Sequence, residues 1–323
     1  MLLRQITMLI AENNFMNSNN AAKFAFYYIL SLVALIAMAM STGTVIFQII
    51  NKYIVDVINQ YSGIYSDDTM KSAISVIFIS APIYFFITVQ LMKNLFSGEL
   101  DKESPIRKWL GYFIILISSF VVIGWLIGTL NGFLNGELTL KFLLKALTSL
   151  VISGAIFGFY FYDIKRTEVK DKKDKVIKVY FWAALAVVVI SFVGALFVVE
   201  TPAQTRERKM DEQVINSLNN VHSYLDRFYT EKGKLPNDLQ AVVKEYAIQD
   251  KDVANPITKE KFEYKVVDKT HYEVCSVFKA SNKKPNDQIN YYGQAIWDHD
   301  AGKYCFTQKI FENPKASPME VIK

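Results

Sequence analysis

Three histidines and two cysteines are the residues with the most obvious chemical potential, and all five lie beyond residue 200. Cys275 and Cys305 belong to no CxxC or CxxCH motif, which excludes the usual zinc-ribbon, thioredoxin and c-type haem spacings. One pair thirty residues apart suits a disulfide in an extracytoplasmic domain. Two buried free thiols are the alternative. His222, His271 and His299 are scattered, and His222 falls beside an apolar helical stripe, where it reads as packed rather than ligating. The stretch "DHDAGK", 298–303, lacks the length and acidic spacing of a calcium loop and is expected to form a hairpin turn. No Ser-His-Asp, Cys-His or paired-carboxylate arrangement can be picked out, and no glycine-rich phosphate loop occurs. The sequence therefore predicts no catalytic residue, no cofactor site and no metal site, and a chain that is not an enzyme.

The elements that must position these residues fall into two classes. Residues 24–199 are dominated by Phe, Ile, Leu, Val, Ala and Tyr, whereas 200–323 has the composition of a soluble domain. A bilayer-crossing helix needs roughly 20 mostly apolar residues. Five runs qualify, at about 24–50, 72–95, 109–133, 140–162 and 178–199. Helix is the expected state, because lipid offers the backbone no hydrogen-bond partner. Ala37-Met38-Ala39 has the form of a signal-peptidase site, but the apolar run continues to Ile50, so an uncleaved span is expected. Leu2, Leu3, Ile6, Leu9 and Ile10 share one helical face, giving either a short interfacial helix or a frayed terminus.

Loop charges set the expected orientation. Lys93, Lys102, Arg107 and Lys108 lie between the second and third spans, and seven Lys/Arg from Lys165 to Lys178 lie between the fourth and fifth. The positive-inside rule places both loops in the cytoplasm, which puts the amino terminus inside and everything from Thr201 onward outside. The basic segment 167–177 reads as a topology-setting loop, with contact to anionic headgroups as the alternative. A net charge of +5, scattered along the chain, gives no reason to expect a nucleic-acid partner.

Within the spans, no Asp, Glu, Arg or His lies near mid-depth, which argues against an ion pump or an intramembrane enzyme. Asp163 sits beside Lys165 and Arg166 and is expected in an interfacial ion pair. Gly124, Gly128 and Gly132 share a face, as do Gly154 and Gly158; this predicts close packing of spans three and four, or dimerisation. Pro82 is expected to kink the second span. Ser104 and Pro105 predict a helix start, with Arg107, Lys108 and Trp109 anchoring that end at the headgroups.

In the tail, Thr201 and Pro202 predict another helix start. Val214, Leu218, Val221, Leu225 and Phe228 follow at spacings of four, three, four and three, an amphipathic stripe that ends at Gly233 and Pro236. A short helix over about 237–247 precedes four candidate strands: "ANPITKEKFEYKVV", "HYEVCSVFKA", "YYGQAIWDHD" and "GKYCFTQKI". The expected fold class is a five-helix membrane bundle followed by a C-terminal α+β domain, a long helix packed on an antiparallel sheet.

Two resemblances bear on these parts. Pro82, the Arg107-Lys108-Trp109-Leu110 entry and the "FLNGELTLKFLLK" connection from Phe133 to Lys145 resemble an uncharacterised bacterial membrane-domain family of unknown function, over roughly 24–166. That resemblance implies a four-span domain and no activity. From about 178 to 310 the order resembles the type IV pilin and pseudopilin family: an apolar span, an amphipathic helix, "YTEKGKLPNDLQAV" with Tyr229, Gly233 and Pro236, then "NPITKEKFEY" and "YEVCSVF". The pilin processing site and the Glu that follows it are absent from "DKVIKVYFWAALAVV". The expected domains are thus 1–23, 24–166, the loop 167–177, a fifth helix at 178–200 and a pilin-like domain at 201–323. The expected role is a non-enzymatic protein of the bacterial cytoplasmic membrane whose outward-facing tail binds a protein partner. A ligand sensor or transport accessory is the alternative, and oligomeric state is left open.

Overall fold

The computed structural model describes residues 2–54, 63–101, 103–166, 174–283 and 297–310, the side chains of 2–21 excepted. The chain divides into two compact units, Met1–Val199 and Glu200–Lys323.

The first unit is built from α1 (Leu2–Tyr53), α2 (Asp67–Ser97), α3 (Pro105–Leu134), α4 (Leu140–Lys165) and α5 (Lys175–Val198). Each contains a segment of 24 to 32 residues long and apolar enough to cross a bilayer. Helix α1 is continuous from Leu2. The face expected of Leu2, Leu3, Ile6, Leu9 and Ile10 concerns side chains outside those described.

Local chemistry sets the helix ends. The Ser66 hydroxyl accepts from the Thr69 N–H at 3.3 Å, and Asp67 and Asp68 favour the positive end of α2. Helix α2 then runs unbroken through Pro82. Pro105 opens α3 as expected, but Ser104 makes no side-chain cap. The preceding turn is held by Asp101 instead, whose carboxylate accepts from the Glu103 N–H at 3.0 Å. At the α3–α4 turn Gly136 takes φ +69°, where a Cβ would be strained. That lets the Glu137 N–H reach back to the Gly132 carbonyl at 2.8 Å, and Thr139 caps α4.

Polarity in this unit is inverted relative to a soluble bundle. Thr42, Ser118 and Ser153 are buried, and each hydroxyl donates to a carbonyl one turn back in its own helix. Phe78, Phe120, Ile190 and Phe197 face outward with more than 60% of their surface exposed. The interior packs Leu35, Met38 and Val45 of α1 on Met70 and Ile77 of α2, with Val188, Ala195 and Val198 of α5 against them. At one end Lys52 Nζ donates to the Val198 carbonyl at 2.7 Å, placing a cation at the negative terminus of α5.

The second unit has α6 (Pro202–Lys232), α7 (Leu239–Tyr246), a 3-10 turn at Asp250–Val253, and strands β1 (Glu263–Val266), β2 (His271–Phe278) and β3 (Gly302–Lys309). Thr201 and Gln204 form a capping box at the start of α6, and Gly233 ends it in the left-handed region. The stripe Val214, Leu218, Val221, Leu225 and Phe228 is buried throughout. It packs on Tyr272, Val274 and Phe278 of β2 and Phe306 of β3. The antiparallel sheet has the order β1-β2-β3. Of the expected strand "YYGQAIWDHD", residues 291–296 lie outside those described and 297–300 form no strand. Trp297 is fixed there by a 2.6 Å hydrogen bond from its indole N–H to Asn219 of α6, which satisfies its donor without a strand partner.

Candidate functional site

The densest constellation of charge in the first unit joins three helix ends. Arg107 sits in the first turn of α3, Asp163 in the last turn of α4, Arg166 caps α4, and Asp174 caps α5. Arg107 Nη2 donates to Asp163 Oδ2 at 2.9 Å and to the Asp163 carbonyl at 2.6 Å. Arg166 binds the other Asp163 oxygen and lies 3.8 Å from Asp174. Asp174 also accepts from the Tyr162 hydroxyl at 2.9 Å and the Val176 N–H at 2.8 Å. The side chains of Arg107 and Arg166 are only 3% and 7% exposed. Such burial is tolerable because each charge is paired and hydrogen-bonded.

Arg107 is therefore not a headgroup anchor, correcting the sequence expectation. It shares a helix face with Gly111, one turn further on. A Cβ at Gly111 would lie 2.7 Å from the tip of Ile164, so the missing side chain lets α4 come close. That approach draws Arg107 onto Asp163. Lys165, a charge the sequence set beside Asp163, instead lies over the Phe161 ring. Lys108 pairs with Glu103 at the surface, and Trp109 is 67% exposed and stacked on Phe113.

For packing within the chain, the glycine expectation also needs correction. A Cβ at Gly124, Gly128 or Gly154 would meet nothing within 4 Å, so these three mark no close approach among the described residues. A Cβ at Gly132 would make ordinary contact with Leu138 and Phe142, and one at Gly158 would lie 3.0 Å from the Tyr180 hydroxyl on α5. The tight α3–α4 contact is at Gly111.

Beside the ionic cluster is a cavity of about 690 Å³, walled by α1, α2, α4 and α5. Most of its lining is apolar, including Met38, Phe85, Phe159 and Val188. Its charged lining, Lys93, Arg166, Asp174 and Lys178, comes from the α2 and α4 C-termini and the α5 N-terminus. The Nε of Arg166 is buried there without a hydrogen-bond partner among the described residues. Lys93 and Lys178 are exposed and have no ion-pair partner among the described residues. The remaining basic residues of the α4–α5 loop, at 167–173, lie outside the described residues.

In the second unit Cys275 and Cys305 form a disulfide, directly opposite one another on β2 and β3 with Cα atoms 4.0 Å apart. Glu273 is close to both sulfurs. Because the sulfurs are bonded to each other, neither offers a thiolate to a metal. Burial pushes the His222 imidazole below its usual pKa, and its Nδ1 hydrogen-bonds the Tyr272 hydroxyl. His299 is buried against the Phe278 ring, and burial lowers its pKa too. His271 lies at the surface on Asp268, whose carboxyl is pulled to about 2, chiefly by the Thr270 N–H. The "DHDAGK" stretch leads into β3, and Asp300 pairs with Lys283 at 2.6 Å. The most telling group not expected from the sequence is Asp211. It is buried on α6, and its carboxylate accepts from the Lys279 and Ala280 N–H groups at 2.7–3.0 Å. Those bonds fasten the end of β2 to the helix.

The profile of a domain family of unknown function, DUF5671, matches residues 25–160, a stretch that holds most of the first four helices and ends before α5. No curated protein and no solved structure matches the chain.

Proposed function

We propose that this is a non-enzymatic integral membrane protein whose helical unit anchors an extracytoplasmic, pilin-like interaction domain. The observation that carries the reading is the contrast between its two units. One has five span-length helices with apolar side chains outward and hydroxyls bonded internally. The other has its own apolar core and a disulfide. A disulfide persists in an oxidising compartment. The basic loop residues Lys93, Lys102 and Lys108 support a cytoplasmic α2–α3 connection and, with it, an outward-facing second unit. A long α6 laid on an antiparallel sheet supports the pilin-like reading. In the sheet of described residues β1 and β3 are edge strands, which suits a protein partner that adds a strand.

The test is thiol accessibility in intact cells. Gln240→Cys should react with a membrane-impermeant maleimide, while Lys172→Cys should react only after permeabilisation. The reverse pattern would overturn the orientation. A photo-crosslinker carried on β3 should capture a discrete protein, and no capture there would count against the docking role.

A further inference from the structure

We infer that the first unit holds one anionic phospholipid, with an acyl chain in the cavity and its headgroup at Lys93, Lys178 and Arg166. This rests on the helical unit being embedded in a bilayer.

Size and depth come first. A volume of about 690 Å³ lies inside the 300–1,000 Å³ range of small-molecule sites, and a mostly apolar wall with a few polar groups is their usual form. Helix α2 lines the cavity from Tyr84 to Phe96, and α5 lines it from Ile177 to Val188. At 1.5 Å per residue each stretch is about 17 Å long. The hydrocarbon core of a bilayer is about 30 Å thick, so the cavity has the depth of one leaflet. Exposed Val151, Trp182 and Val187 stand on its rim, marking a sideways entrance.

Charge then selects the headgroup. Arg107, Asp163, Arg166 and Asp174 balance one another, leaving Lys93 and Lys178 as two positive charges at the mouth with no ion-pair partner among the described residues. Both are exposed and can turn toward a bound group. Arg166 adds a buried Nε–H donor with no hydrogen-bond acceptor among the described residues. Phosphate oxygens supply acceptors, and basic pockets between spans are suited to anionic headgroups. A zwitterionic lipid would bring a choline cation to the same mouth.

The test uses the full chain reconstituted in vesicles of equal phosphatidylglycerol and phosphatidylcholine, with bound lipid counted by native mass spectrometry after extraction. Flotation with the vesicles is read first, because a chain that does not float refutes the membrane reading itself. The intact chain should retain one phosphatidylglycerol in preference to phosphatidylcholine. Lys93→Gln with Lys178→Gln should weaken that retention by about fivefold per lysine, with the melting temperature in detergent unchanged. Ala155→Phe, which fills the cavity, should remove the bound lipid while flotation persists. Equal retention of the two lipids, unchanged retention in the double lysine variant, or equally tight binding of water-soluble dihexanoyl phosphatidylglycerol would each overturn the proposal.

Discussion

Replacing Cys275 and Cys305 together by serine should cost the second unit most of its stability margin. The two residues are thirty apart in sequence. Closing a loop of that length removes denatured-chain entropy worth about 3.6 kcal/mol at 25 °C. The folded state should lose little else, because Cys275 and Cys305 lie on the sheet face opposite Tyr272, Val274 and Phe278, which pack on α6. Cys305 is exposed, and Cys275, though buried, is replaced by a residue of nearly the same size. The effect therefore acts through the unfolded chain, and the native sheet of the variant should be unchanged. Hydrogen exchange of the full-length protein in detergent reads it directly, through the slowest amides of β2. Since about 1.4 kcal/mol corresponds to a factor of ten, these amides should exchange about 400-fold faster in the variant. Reduction of the wild-type chain with dithiothreitol should reproduce the change. An acceleration below tenfold would show that the strands are already held together in the denatured ensemble, and the loop-entropy reasoning would fail.

Other perturbations have definite outcomes. Arg107→Gln leaves Asp163 buried against Arg166 and should destabilise the helical unit by about 3–5 kcal/mol; adding Asp163→Asn should recover part of the loss in a detergent melt. Ala at Gly124, Gly128 or Gly154 should leave the melting temperature level or slightly raised, whereas Gly111→Val should lower it, because only the latter meets a neighbour. Asp211→Ala orphans buried N–H groups at the end of β2 and should cost about 2–3 kcal/mol in urea unfolding. His222 and His299 have folded pKa values below the unfolded one, near 6.5. The unfolded chain thus binds more protons just below that pH, so their contribution is complete above about 6.5 and declines as pH falls. His299→Phe should flatten the stability profile between pH 7.5 and 5.

The parts of the fold governed by local periodicity were legible in the sequence. Five apolar runs and the α6 stripe fell where spacing put them, since burial of one helix face leaves a 3.6-residue signature. Asp211 carries a readable signal: it precedes Val214 by three and Leu218 by seven, an acid on the buried stripe. Arg107 and Asp163 were each visible, but their pairing spans 56 residues and depends on how closely two helices approach. Glycine spacing misled for the same reason. A repeat of four defines a face without saying whether another helix covers it, and the covered face of α3 is the one shared by Gly111, Ile114 and Ser118. The segment "YYGQAIWDHD" reads as a strand, but its described residues 297–300 form none, and the Trp297 indole N–H is satisfied by Asn219 instead.

Helix α5 does more than connect. Val188, Ala195 and Val198 are seated in the same packed interior as Met38, Val45 and Met70, and Val198 accepts from Lys52 at its end. The matched profile stops before this helix. A chain shortened to the profile would bare the flank that α1 and α2 present to α5, and it would lose one wall of the cavity. For anyone dissecting the molecule, the severable joint is at Val199/Glu200, not at the end of the recognised domain.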